Sequence, residues 1–392
     1  MKYTELIEDA TVIEWLDIIN AKEGTRRSHL YGMQQYTEYT RMKPEELLEE
    51  AEEDMMAGKL PRRRRIKKHV VGFRAHLQNK GLAPLTVRRN VAVVSSFYKA
   101  FEIDFPQLPN NEKSIRPKKE NTKTPTKEDV RDVLKVCNLK EAAIVLCGYS
   151  SGMGAAELCQ VSVEDFKRGY DPETEITMLD MRREKVGHDF ITFLSPEASM
   201  AVWRYLEFRN RNPKSSGKEY QLNLRRTTPD SPLFISSNVP REYLQIHDEE
   251  LRRLTPRAIG MMYQRLSTKA GKDTSISEFN IIRSHNMRKL FNSILKNAGC
   301  DGDMVEYFMG HSLGATKDAY YRPDIAKLKE IYIRFVPHLI VSEEFELKEA
   351  LKQKDDEHSM LIRKLDEQKE MNDRYEARIR ALEIGLKGVT SK

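Results

Sequence analysis

The sequence predicts a mainly α chain with one small β-sheet, an α+β architecture of two domains followed by a long C-terminal helix. Three observations predict it. Apolar residues recur at helical spacing through residues 11–105 and through most of 126–340. Between them, residues 106–125 are broken by prolines and lack apolar periodicity, as an extended linker is. A single stretch, "TEITMLDMRREKVGHDFITFLSP", alternates apolar and polar residues on either side of a charged turn at Lys185-Val186-Gly187, the pattern of a β-hairpin. The expected divisions are therefore a helical domain (1–105), a linker (106–125), a larger domain (126–340) and a tail (341–392).

In the first domain, "TRRSHLYGMQQYTEYTR" sets Leu30, Met33 and Tyr36 on one helical face, with Thr25 as its expected cap. "KPEELLEEAEEDMMAG" reads as an acidic helix opened by Pro44 and closed by Gly58. "KLPRRRRIKKHVVGFRAHLQNKG" places seven lysines and arginines between Lys59 and His69, ahead of Val70, Val71, Phe73 and Leu77. "APLTVRRNVAVVSSFYKAF" puts Val87, Val91, Val94, Phe97 and Tyr98 on one face. Thr126 with Asp129 three residues on is a capping-box signature that restarts helix after the linker. "RSHNMRKLFNSILKNAG" is an amphipathic helix whose buried stripe is Met287, Leu290, Phe291, Ile294, Leu295 and Ala298, ended by Gly299. His285 and Arg288, three apart, are expected on one flank of that stripe.

The tail keeps one unbroken heptad register through Leu347, Leu351, Leu361, Leu365, Tyr375, Ile379, Leu382 and Leu386, with Lys354, His358, Gln368 and Asn372 at its remaining core positions. A coiled coil and a single solvated helix both fit. The polar core positions imply weak or partner-dependent association.

The chain has 392 residues, with 66 Lys+Arg against 60 Asp+Glu and a net charge of +6. From 341 onward there are 11 basic and 13 acidic residues, so the body carries +8 and the tail −2. A basic body suggests a polyanionic partner. The opening "MKYTELIEDATVIEWL" is acidic where a signal peptide is basic and then apolar, and no run of 18 apolar residues occurs. Cysteines 137, 147, 159 and 300 show no CxxC spacing. The expectation is a cytoplasmic protein with reduced thiols, no membrane, no structural zinc and no cofactor.

"MGHSLGATKDAYYRP" has His311 followed nine residues later by Tyr320, with Tyr321 next to it. The tyrosines could simply close a helix against the core. Alternatively, a tyrosine hydroxyl could attack a phosphodiester and form a covalent phosphotyrosine. Such a transition state gathers charge on two non-bridging oxygens, which suit arginine and histidine donors, and its leaving hydroxyl needs a proton that a lysine can give. His285, Arg288, His311, Tyr320 and Lys185 are the residue types this chemistry needs.

The chain resembles the tyrosine recombinases of the phage and archaeal integrase superfamily. The likeness rests on "SHNMRKLF" for an H-x-x-R box, "FMGHSLGATKDAYYRP" for the box carrying the nucleophile, "RREKVGHDFITFLSPEA" for the lysine hairpin and "GLAPLTVRRNVAVVSSFYK" for the end of a helical core-binding domain. It implies a tyrosine-recombinase catalytic domain with Tyr320, rather than Tyr321, as nucleophile. Arg288, His285, His311 and Lys185 would complete the site. It further implies a double-stranded DNA recombination site gripped by both domains, a four-protomer synapse on DNA, and no need for ATP or metal. Integration of a virus or mobile element is the expected use, with chromosome-dimer resolution as the second. Arg62, Arg63, Arg64, Arg65, Arg88 and Arg89 are the candidate DNA contacts of the helical domain, or else only a solvated surface. One box departs from the family's pattern: "SGMGAAEL" has Gly154 where the first arginine is expected. Arg182 and Arg183, on the hairpin with Lys185, are the candidates to serve instead. The departure also leaves open a catalytically impaired relative that acts by binding DNA, and a topoisomerase of the same chemistry remains a third reading.

Overall fold

A computed structural model describes residues 1–108, 123–184, 187–211, 225–228, 230–273, 279–314 and 324–348, together with 351, 354, 358, 360–365, 367–369 and 371. The chain divides into two compact units, Met1–Lys119 and Glu120–Lys392.

The first unit is helical throughout its described residues. Two short helices, α1 (Tyr3–Glu8) and α2 (Ala10–Ile18), precede α3 (Glu23–Thr40), α4 (Pro44–Met56), α5 (Arg65–Asn79) and α6 (Pro84–Ala100). Their apolar stripes meet around Trp15, Met33, Tyr36, Phe73 and Phe97, all fully buried. Thr25 is not the cap of α3. The helix starts two residues earlier, with Lys22 at the N-cap, and Thr25 lies in the first turn. Val71 is exposed, because the 3.6-residue period turns it away from the face that buries Val70, Phe73 and Leu77. Gly58, at φ +63°, closes α4 in the left-handed region that glycine reaches without strain.

The arginine run opening α5 is not uniform. The buried Asp54 carboxylate takes the backbone N–H of Arg65 at the helix start, Arg65 Nε at 2.9 Å and Lys59 Nζ at 2.7 Å. Arg65 Nη2 also donates to Glu53 at 2.8 Å. Arg64 donates to the Lys59 carbonyl and faces Asp104. Arg62, Arg63, Arg88 and Arg89 stand exposed.

The second unit is built on α8 (Leu139–Ser151), which follows the short α7 (Lys127–Lys135). Thr126 and Asp129 form the expected capping box on α7. Every residue of α8 from Ala143 to Ser151 is buried, the mark of a central helix. After α9 (Ala155–Gln160) and α10 (Val163–Gly169) comes the hairpin, β1 (Thr177–Arg183) against β2 (His188–Leu194). The strands pair antiparallel from Thr177↔Leu194 to Arg183↔His188. Then follow α11 (Pro196–Asn210), α12 (Tyr243–Ile246), α13 (Pro256–Lys269), α14 (Ser284–Asn297), α15 (Gly302–Phe308) and α16 (Ile325–Leu339). α11 and α14 pack on α8, while β2 lies against α8, α15 and α16. The chain is thus mainly α with one two-stranded sheet.

At the start of the tail, Phe345 packs on this core and Glu346 pairs with Arg131. Beyond it Leu347, Leu351, Leu361 and Leu365 are exposed, whereas heptad positions from Asn372 onward lie outside the described residues. Among the described residues no helix is long and apolar enough to cross a membrane.

Candidate active site

Helix α14 buries Met287, Leu290, Phe291 and Leu295, with Ile294 and Ala298 half-buried. Arg288 does not ride on the flank of this stripe. It is 7% exposed and points inward, while His285, one turn earlier, is exposed. Arg288 Nη1 donates to the Gly152 carbonyl at 2.7 Å, and Nη2 donates to the Met309 carbonyl and to His311 Nε2 at 2.7 Å. Gly152 ends α8 at φ +68°, and a Cβ there would come within 2.6 Å of Phe291 and 2.9 Å of Met309. Only glycine delivers that carbonyl to Arg288 without strain or collision.

His311 follows α15 directly. A guanidinium can only donate, so Nε2 accepts and the ring proton sits on Nδ1, where it is given to Glu306 Oε2. Glu306 Oε1 takes Lys296 at 2.9 Å and Asn292 at 3.1 Å. Burial would raise the Glu306 pKa, but the hydrogen bonds from His311, Lys296 and Asn292 outweigh it and hold the carboxyl at about 2. Burial, reinforced by the nearby Arg183 charge, brings Arg288 down to about 10. Burial and the Lys289, Arg283 and Arg288 charges also lower the His285 pKa, which favours its neutral form.

From the hairpin, Arg183 Nη1 donates to the Gly310 carbonyl at 3.1 Å, and its Nε lies 3.2 Å from Glu157 Oε1. The second contact is an ion pair without hydrogen-bond alignment, since Nε is buried with no hydrogen-bond partner. Arg182 turns the other way and donates to Asp189 at 2.7 Å on the exposed face. An open cleft of about 650 Å³ is lined by Gly154, Glu157, Arg183, His285, Arg288 and His311, among others. Three of the five sequence-predicted catalytic residues thus converge. Lys185 and Tyr320, with Tyr321, lie outside the described residues. Glu306, which orients His311, was missed in the sequence. Its spacing of five before the histidine, at the end of a short helix, was the one available signal. The Gly152 and Met309 carbonyls left none, because main-chain acceptors have no residue code.

A cleft holding two guanidiniums and two imidazoles on a helical scaffold suits an anion such as a phosphodiester. The chain belongs to the Phage integrase family, whose profile matches residues 123–327, just over half of its length. Among curated proteins it is similar to the tyrosine recombinase XerA of Pyrococcus horikoshii, 23% identical over 262 residues that cover 66% of this chain and 76% of that protein. It is also similar to XerC of Chlorobaculum parvum, 24% identical over 289 residues, covering 68% and 77%. Among solved structures, XerH bound to its difH substrate matches with a TM-score of 0.49 at 14% identity, covering 84% of each chain. The protein is an enzyme of the tyrosine-recombinase kind, which cleaves and rejoins DNA strands at specific sites.

Proposed function

We propose that this chain integrates or excises a mobile DNA element through a 3′-phosphotyrosyl intermediate formed by Tyr320. The Tyr320 oxygen attacks the scissile phosphorus, the P–O5′ bond breaks, and the tyrosine ester replaces it. The phenol's proton passes to neutral His285, and Lys185 protonates the departing 5′-oxygen. Arg288 neutralises charge on the non-bridging oxygens, held in place by His311 and Glu306. Rejoining reverses these steps, so the phosphoester energy is retained. Arg62, Arg63, Arg88 and Arg89 contact backbone phosphates of the duplex. Protomers pair on DNA to exchange strands, and the acidic-basic tail contributes to that pairing.

The observation that carries this reading is the state of Arg288. Its guanidinium is buried on main-chain carbonyls and an imidazole, with no carboxylate in direct contact among the described residues. Its charge is left for an anion arriving through the cleft.

The test is covalent trapping. The full-length protein first selects its site from a random-sequence duplex library. That site is then nicked so that the released fragment diffuses away. Tyr320→Phe should abolish the DNA-linked band on a denaturing gel, and Tyr321→Phe should retain it. Loss of the band in the second variant alone would reassign the nucleophile.

A further inference from the structure

We propose that Arg183 supplies the second guanidinium to the scissile phosphate, from the hairpin rather than from the position that Gly154 leaves without a side chain. The inference rests on the proposed phosphotyrosyl chemistry and identifies a further catalytic residue for it.

Gly154 is not there because the backbone demands it. It is the N-cap of α9 at φ −81° and ψ 175°, extended geometry open to any residue. An added Cβ would meet only Glu157 Oε2, at 2.6 Å, the free end of a flexible side chain. The missing side chain is therefore a matter of what else occupies the space. That occupant is the Glu157–Arg183 pair, which lines the same cleft as Gly154, His285, Arg288 and His311.

Arg183 shares one kind of anchor with Arg288, a main-chain carbonyl, although it also faces the Glu157 carboxylate. Its Nη1 donates to Gly310 O, and Arg288 Nη2 donates to Met309 O, so two consecutive carbonyls after α15 present the two guanidiniums. Gly310 can do this because it sits at φ +64°, where a Cβ would run into Phe190 of β2 at 2.6 Å. The strand register ends at Arg183↔His188, so the arginine occupies the last paired position of β1, fixed by the ladder on one side. Two like charges facing one cleft repel, and the Arg183 charge adds to burial in lowering the affinity of Arg288 for its proton; an anion placed between them relieves the repulsion. The Glu157 contact is the loosest in the set. Its Nε–O pair is out of line, so the approaching phosphate competes there with an ion pair and not with an aligned hydrogen bond. Arg182, the other cation here, is excluded by its partner Asp189 on the outer face.

A purely structural Arg183 would tie the hairpin to Glu157 and do nothing to rate. The test uses the nicked, selected duplex with full-length protein and measures single-turnover attachment and DNA affinity. Arg183→Ala should slow attachment by about 10²–10³-fold, the usual loss for one preorganised donor. Its affinity should change far less. Arg182→Ala should match the unsubstituted protein. Adding Gly154→Arg to Arg183→Ala should recover part of the lost rate, because a guanidinium then reaches the phosphate from the other wall. An Arg183→Ala protein as fast as the unsubstituted chain overturns the proposal. So does a slow one that Gly154→Arg leaves equally slow, since the loss then belongs to the hairpin's anchoring. If the unsubstituted protein itself forms no covalent complex, the phosphotyrosyl reading falls and this inference falls with it.

Discussion

Arg65 in the N-terminal unit and Arg288 in the cleft are both fixed by several hydrogen bonds, yet they are satisfied in opposite ways. Arg65 meets carboxylates, those of Glu53 and Asp54, and its pKa is raised, first by the Glu53 hydrogen bond. Arg288 meets carbonyls and an uncharged imidazole nitrogen, and its pKa falls to about 10, first through burial. The first arrangement cancels the cation and pins α4 to α5. The second positions the cation and leaves its charge unspent. How an arginine is held thus says more about whether its charge is already met than its burial does.

Arg288→Lys should break the comparison most severely. The ammonium keeps the charge but cannot reach two carbonyls and an imidazole in one plane, so covalent attachment should drop by about 10²–10³-fold with DNA affinity nearly intact. Single-turnover trapping beside a binding titration reads both, and equal losses in rate and affinity would reduce Arg288 to a simple phosphate contact.

Arg65→Ala should do the reverse, lowering the melting temperature of the full chain while the attachment rate of folded protein stays close to normal. The pH dependence carries the sign. Burial opposes ionisation of Asp54, but the bonds from Lys59 and Arg65 prevail and lower its folded pKa. Its stabilisation is therefore complete above the unfolded carboxylate pKa of about 3.9 and fades as pH falls through the lower folded value. The melting-temperature gap between the two proteins should close in acid, and a gap independent of pH would remove Asp54 from the account.

Much of this was legible in the sequence because it is local. The Thr126–Asp129 capping box, the Val70–Phe73–Leu77 stripe and the alternating strands of the hairpin are each written within a few residues, and each forms. The mainly α architecture follows from such stripes. Thr25 misled because Ser and Thr predict caps only on average, and here Glu23 already begins the helix. The depth of Arg288 was not legible, since a heptad face does not reveal that a neighbouring helix end offers carbonyls to a guanidinium. Nor was the reach of Arg183 over Arg182, which depends on which side of β1 faces the end of α15.

A finer test concerns His285, whose proton affinity is lowered by burial and then by Lys289, Arg283 and Arg288. Lys289→Gln should raise its titration midpoint by removing a like charge, followed by NMR of the imidazole Cε1–H. An unmoved midpoint would remove Lys289 from the causes. The smallest effect is expected from truncation before Leu347. That should weaken association on paired sites and spare single-site attachment, as seen by sedimentation with and without DNA. Unchanged sedimentation would make the tail a solvated helix.

The clamp on Arg288 joins residues 136 and 21 positions apart along the chain. Neither carbonyl is in place until α8, α14 and α15 have come together, so the cutting charge does not exist in any fragment of the fold. The helical N-terminal unit precedes all three in the chain and is synthesised before them, while the clamp is still unassembled. A half-made or partly unfolded copy therefore lacks the clamp that aims Arg288 into the cleft.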